Sequence, residues 1–217
     1  MYRKKSLCLQ GEWRKNAKVN LIWTLWLEHS GIMASDTDRQ KKQSQDQKKV
    51  LTNIFSACVL LFCVGVIAAY YPFPKPRLPT LLDRLVFTLR WLIVSLFTVF
   101  AGVIWVGNMR YSTSAINPLD PSGKKYVEMR SRYLQNTVEQ FLLHSFSLVV
   151  LSTYLSEENM HLVPLLVVLF SIARLLFAVG YSIDPLRRGF GFAMTFLPTA
   201  MVIYYCLYCL FMFGLEV

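Results

Sequence analysis

Residues 50–71 read VLTNIFSACVLLFCVGVIAAYY, a stretch with no charged side chain. A helix needs about 20 apolar residues to cross a hydrocarbon core of roughly 30 Å, so this segment predicts a membrane span. Lys48 and Lys49 stand before it, and Tyr70 and Tyr71 close it where an interfacial aromatic belt belongs. Further apolar runs follow at about Leu85–Gly107, Thr137–Leu155, His161–Tyr181 and Gly191–Phe213. Hydrophobic residues make up 54% of the chain and charged ones 17%, against roughly a quarter charged in a soluble domain. The expected fold is an all-α membrane protein with five transmembrane helices.

The segments between these runs have their own chemistry. Residues 1–49 hold 11 of the 23 Lys and Arg against five acids and read as a basic, largely disordered cytosolic tail. Within it, Val19–Leu27 is apolar but only nine residues long, too short to span. Glu28 and His29 follow where a signal peptide would place small cleavage-site residues. Met33-Ala34-Ser35 then looks like an ordinary cytosolic N-terminus, and Met33 is expected to be an alternative or the true start. Residues 50–71 form the first span. Residues 72–84 follow as a Pro-rich linker, with Pro72, Pro74, Pro76 and Pro79 forbidding helix continuation. Residues 85–213 hold the other four spans. Pro164 falls in the first turn of the fourth, and Pro198 should kink the fifth.

Loop charges set the orientation. Residues 39–49 carry five Lys/Arg, residues 108–136 carry Arg110, Lys124, Lys125, Arg130 and Arg132, and Arg187 and Arg188 follow the fourth span. The intervening loops carry Lys75, Arg77 and Arg84 in one case, and Glu157 and Glu158 in the other. This alternation places the N-terminus in the cytosol and the C-terminus in a lumen or outside. The net charge of +10 is thus located where the positive-inside bias wants it. Without a recognition motif it does not predict nucleic-acid binding. Of the five cysteines, Cys58, Cys63, Cys206 and Cys209 lie in apolar runs and form no secreted disulfide framework. The Cys206-x-x-Cys209 pair reads as small packing residues.

The polar residues inside apolar runs carry the functional information. Glu128 to Gln140 runs directly into the third span, and Arg132, Asn136 and Glu139 fall within about 60° of one another on a helix. On the fourth span, Arg174, Phe177 and Tyr181 share a face by the same arithmetic. Ionisable groups at membrane depth need partners, so an Arg174–Glu139 pair is the expected solution to both burials. The cluster is either a structural lock between helices or the floor of a polar ligand site. No nucleophile, metal-ligand set or glycine-rich phosphate loop accompanies it, so no catalytic or metal-binding residue is assigned.

These residues resemble the MAPEG group, the membrane-associated proteins of eicosanoid and glutathione metabolism. The resemblance rests on Arg132-x3-Asn136-x2-Glu139 entering a helix, Asn117-Pro118 before it, and Arg174-x6-Tyr181. It covers roughly residues 85–213. Leu151-Ser152-Thr153-Tyr154-Leu155, Pro164-Leu165-Leu166, and Arg188-Gly189-Phe190-Gly191-Phe192 through Pro198 resemble a five-span branch linked to skin barrier and secretory granules. The resemblance implies a MAPEG-like four-helix bundle, a homotrimer, and in the enzymes glutathione bound between subunits. Carried over, Asn136, Glu139 and Tyr181 match glutathione contacts, and Arg132 matches a polar-stripe arginine. Gln135 stands where the enzymes often have an arginine, Phe177 where one branch has a histidine, and the arginine after the fourth span is matched ambiguously by Arg187 or Arg188. Losing cations weakens both carboxylate binding and thiolate formation. The expectation is therefore a non-catalytic endomembrane protein of Golgi, secretory granules or lysosome. It would act on trafficking, barrier integrity or membrane receptors through helix contacts with other membrane proteins, with no cofactor required. A glutathione-dependent transferase or peroxidase acting on lipophilic substrates is the alternative.

Overall fold

The structure, a computed structural model, describes residues 39–68, 70, 76–117 and 123–213. The chain divides into two units, residues 1–48 and 49–217. The described part of the first is helical, and the second holds the bundle. Among the described residues the regular elements are helical: α1 (Arg39–Ala68), α2 (Leu81–Tyr111), α3 (Lys124–Tyr154), α4 (Leu162–Ile183) and α5 (Arg188–Phe213). Short 3-10 turns at Ser114–Ile116 and Glu157–Asn159 sit in the α2–α3 and α3–α4 connections.

Several helices start earlier than the apolar runs suggest. Residues 39–49 are helical, not part of a disordered tail, because this Gln- and Lys-rich stretch contains neither Gly nor Pro. The expectations for residues 1–38 lie outside the described residues. α2 begins at Leu81 because Thr80 and Asp83 form a reciprocal cap: Asp83 N–H donates to Thr80 Oγ1 at 3.1 Å and Thr80 N–H to Asp83 Oδ2 at 3.2 Å. α3 begins at Lys124, well before Thr137.

The segments Arg39–Ala68, Leu81–Tyr111, Glu157–Ile183 and Arg188–Met212 are long and apolar enough to cross a membrane. α3 matches them in length, with 31 residues, but its N-terminal half is strongly polar. α2 and α5 each pack on both α3 and α4, closing a four-helix bundle in which α3 and α4 meet across the diagonal. The buried stripe of α2 is Thr88, Leu92, Ser95, Thr98, Gly102 and Val106, small enough to admit a neighbouring helix closely. A Cβ on Gly102 would come within 3.1 Å of Leu134 Cδ1. Buried hydroxyls turn back on their own helices, as in Thr88 to the Arg84 carbonyl at 2.9 Å and Thr137 to the Tyr133 carbonyl at 2.8 Å. One end of the bundle has an aliphatic core around Leu148, Leu151, Met160, Val163 and Val167. There Leu78 N–H donates to Glu157 Oε1 at 2.8 Å, and Arg84 donates to the Leu155 carbonyl. The opposite end, with the α2–α3 and α4–α5 connections, is aromatic and cationic.

α1 lies against α4 and α5 through a narrow seam. Ala57 is fully buried among Ala173, Ala193 and Met194, and Asn53 Nδ2 donates to the Leu186 carbonyl at 3.0 Å. Most of its other large side chains, Phe55 and Phe62 among them, face outward.

Candidate functional site

The site grows from one residue. Arg174, in the middle of α4, has no exposed surface. One terminal nitrogen donates to Asn136 Oδ1 on α3 at 2.9 Å. The other donates to Thr195 Oγ1 on α5, and to the Gly191 carbonyl at 3.4 Å. The guanidinium also lies over the Phe177 ring at 4.8 Å and near Phe170 at 5.8 Å. Gly191 is what lets α5 come this near: a Cβ there would sit 2.4 Å from Phe177 N and 2.8 Å from the Ala173 carbonyl.

From Phe177 an aromatic chain runs toward the cationic end. Phe177 meets Tyr133 at 5.8 Å and Tyr181 at 5.9 Å, and Tyr133 meets Trp105 of α2 at 5.4 Å. Arg130 caps Trp105 at 5.2 Å, and Arg188 caps Tyr181 at 4.9 Å. The buried cation is thus bordered by rings whose outer ends carry two more arginines.

The expected Arg174–Glu139 pair does not form. Glu139 faces out of the bundle and accepts from Gln135 Nε2 at 3.2 Å. Arg132 also faces out, paired with Glu128 at 2.7 Å. Of the five residues singled out in the sequence, Arg174 and Asn136 touch, Tyr181 joins them through Phe177, and Arg132 and Glu139 lie on a different face. Among the described residues no carboxylate is within ion-pair distance of Arg174.

The MAPEG profile matches residues 88–208, from the buried Thr88 of α2 to the last turns of α5. The chain belongs to the MAPEG family. Transmembrane protein 79 of Mus musculus is 35% identical over 164 residues, covering 75% of this chain and 42% of the relative. Its Bos taurus counterpart is 34% identical over 164 residues, covering 75% of this chain and 41% of the relative. Within the MAPEG family the chain is thus similar to Transmembrane protein 79, also called mattrin. The chain spans about two-fifths of the length of these curated relatives. No solved structure matches with comparable significance.

Against that family background, the residues the sequence reading missed are on the inner face of α3. Tyr133, Thr137, Gln140, His144 and Ser147 are all buried, spaced alternately four and three apart. That spacing was a visible signal: a second polar stripe, on the opposite side of the helix from Glu128, Arg132, Gln135 and Glu139. Thr195 was also missed as a partner of Arg174. It carries the hydroxyl that fixes the guanidinium from α5.

Proposed function

We propose that this MAPEG-family chain is a non-catalytic, five-span mattrin-like protein that works through helix-mediated contacts in the endomembrane system. The observation that carries this reading is the enclosure of Arg174. A cation serving an anionic cofactor should present hydrogen-bond donors to it. Arg174 directs its terminal nitrogens to Asn136, Thr195 and Gly191 of its own chain, with none of its surface accessible. Asn136 is engaged in the same contact. Arg132 pairs with Glu128 and Glu139 accepts from Gln135 on the outer face of α3, while Arg174 and Asn136 support helix packing rather than glutathione activation.

In this reading α3 also crosses the membrane, as the third of five spans, the loop charges put the N-terminus in the cytosol, and the C-terminus lies in a lumen. Golgi, secretory granules and lysosomes are the proposed compartments. Trafficking, barrier maintenance or receptor control would follow from contacts with other membrane proteins. Tags at the two ends, probed by protease in sealed vesicles, should lie on opposite sides. Equilibrium binding tests the central claim: the purified, lipid-reconstituted protein should bind no glutathione at millimolar concentration and show no transferase or peroxidase turnover. Saturable binding abolished by Tyr181→Phe or Glu139→Gln would replace this reading with the glutathione-dependent enzyme.

A further inference from the structure

A second polar site lies beside Pro198 of α5. Pro198 sits inside α5 and has no N–H. The carbonyl four residues earlier, on Met194, therefore lacks its ladder donor and needs another partner. Beside this break is a cavity of about 10 Å³, bordered by His144, Phe170, Met194, Thr195, Pro198 and Thr199. Such a volume holds about one water molecule.

The walls of this cavity are not those of a dry packing defect. His144 is 96% buried, being only 4% exposed, and its Nε2 has no hydrogen-bond partner among the described residues. Phe170 stacks flat on the imidazole at 4.3 Å with the planes 15° apart, fixing the ring on one side. Thr199 is also 4% exposed and borders the same cavity. Thr195 differs: its hydroxyl accepts from Arg174 and lies 2.9 Å from the Phe192 carbonyl, so it is already engaged. The unpartnered His144 Nε2, the Met194 carbonyl that Pro198 deprives of its ladder donor, and the Thr199 hydroxyl together offer both donor and acceptor capacity.

We propose that this cavity is a binding site for a single internal water that bridges His144 Nε2 on α3 to the Met194 carbonyl and Thr199 hydroxyl on α5. Water suits the site because it can donate two hydrogen bonds and accept two, whichever ring nitrogen carries the proton. A larger polar ligand does not fit the volume. The bridge ties α5 at Pro198 to α3, next to the Thr195 hydroxyl that holds Arg174. It is independent of whether the chain binds glutathione.

The test uses the full chain in lipid nanodiscs. A structure at a resolution that shows ordered solvent should contain a discrete peak about 2.7–3.2 Å from His144 Nε2. A closed cavity, or a His144 ring turned onto a protein partner, overturns the proposal. Thermal unfolding gives a second reading. Thr199→Val and His144→Phe should each lower the melting temperature. The double variant should lose clearly less than the sum, because both side chains act through the same water. Additive losses overturn the bridge. Should His144→Phe fail to fold, the cycle of Thr199→Val with Pro198→Ala replaces it, since alanine returns an N–H to the Met194 carbonyl.

Discussion

Arg174 is the largest fully buried side chain among the described residues, and its charge is balanced by dipoles rather than by a carboxylate. Hydrogen bonds to a charged group contribute about 1.5–3 kcal/mol each, and a stranded buried acceptor costs about 1–3 kcal/mol. Arg174→Met should therefore destabilise the bundle by about 2–4 kcal/mol, since it removes donors from Asn136 Oδ1 and the Gly191 carbonyl. Asn136→Leu should cost a similar amount, leaving part of the guanidinium unmet. The double variant should lose less than the sum, whereas Glu139→Gln combined with Arg174→Met should be additive. Thermal or denaturant unfolding of reconstituted protein measures these cycles, and coupling to Glu139 instead of Asn136 would contradict the geometry. The sequence made Arg174, Asn136 and Tyr181 visible because polar groups on apolar helices are costly. It misdirected the pairing for a specific reason. Helical arithmetic tells which residues share a face, but not which edge of that face turns inward. The rotation of α3 is set by Tyr133, Thr137, Gln140, His144 and Ser147 packing into the core. That rotation carries Asn136 toward Arg174 and turns Glu139 away.

Among the elements, the apolar helices α2, α4 and α5 were legible because a bilayer demands long uninterrupted runs. α3 was legible only over its C-terminal half. Its polar N-terminal turns form a helix because α2 and the aromatic chain cover their inner face, a tertiary effect that hydropathy does not encode. α1 shows the opposite balance, being plainly hydrophobic yet weakly held. It contributes Ala57 to the core and a side-chain hydrogen bond from Asn53 to the Leu186 carbonyl at the α4–α5 turn. A polar contact on a largely apolar helix fixes register more than it adds stability. Asn53→Leu should therefore leave the melting of the α2–α5 bundle within about 1 kcal/mol of the parent, while loosening α1. Spin labels at the exposed positions Phe62 and Ile183 report this as a broader distance distribution. An unchanged distribution would mean that Ala57 packing alone sets the register.

On the scale of the whole molecule, a single chain leaves one face unresolved chemically. Glu128, Arg132, Gln135 and Glu139 form a polar stripe on the outside of α3, and Leu142, Leu143, Phe146 and Val150 continue it as an apolar one. With Tyr154 at one interface, a 30 Å hydrocarbon core reaches back about 20 residues, to the neighbourhood of Gln135. With α3 spanning as proposed, Glu139 would lie inside the hydrocarbon. A charged side chain facing lipid near the centre of a span costs about 2.5–3.5 kcal/mol, less toward the interface. The Gln135 amide meets one of its oxygens but does not remove it from lipid. Association of identical chains through α3 would cover the stripe, and we propose a closed homotrimer as its form. Native mass spectrometry from nanodiscs should therefore show trimers for the parent protein. Glu139→Leu removes the penalty on the free monomer, so it should shift the population toward monomers while leaving the fold of each chain intact. Glu139→Gln keeps a hydrogen-bonding group there and should retain more of the trimer. A parent protein that stays monomeric in lipid, or a Glu139→Leu variant that assembles as tightly as the parent, would show that lipid or another protein covers this face.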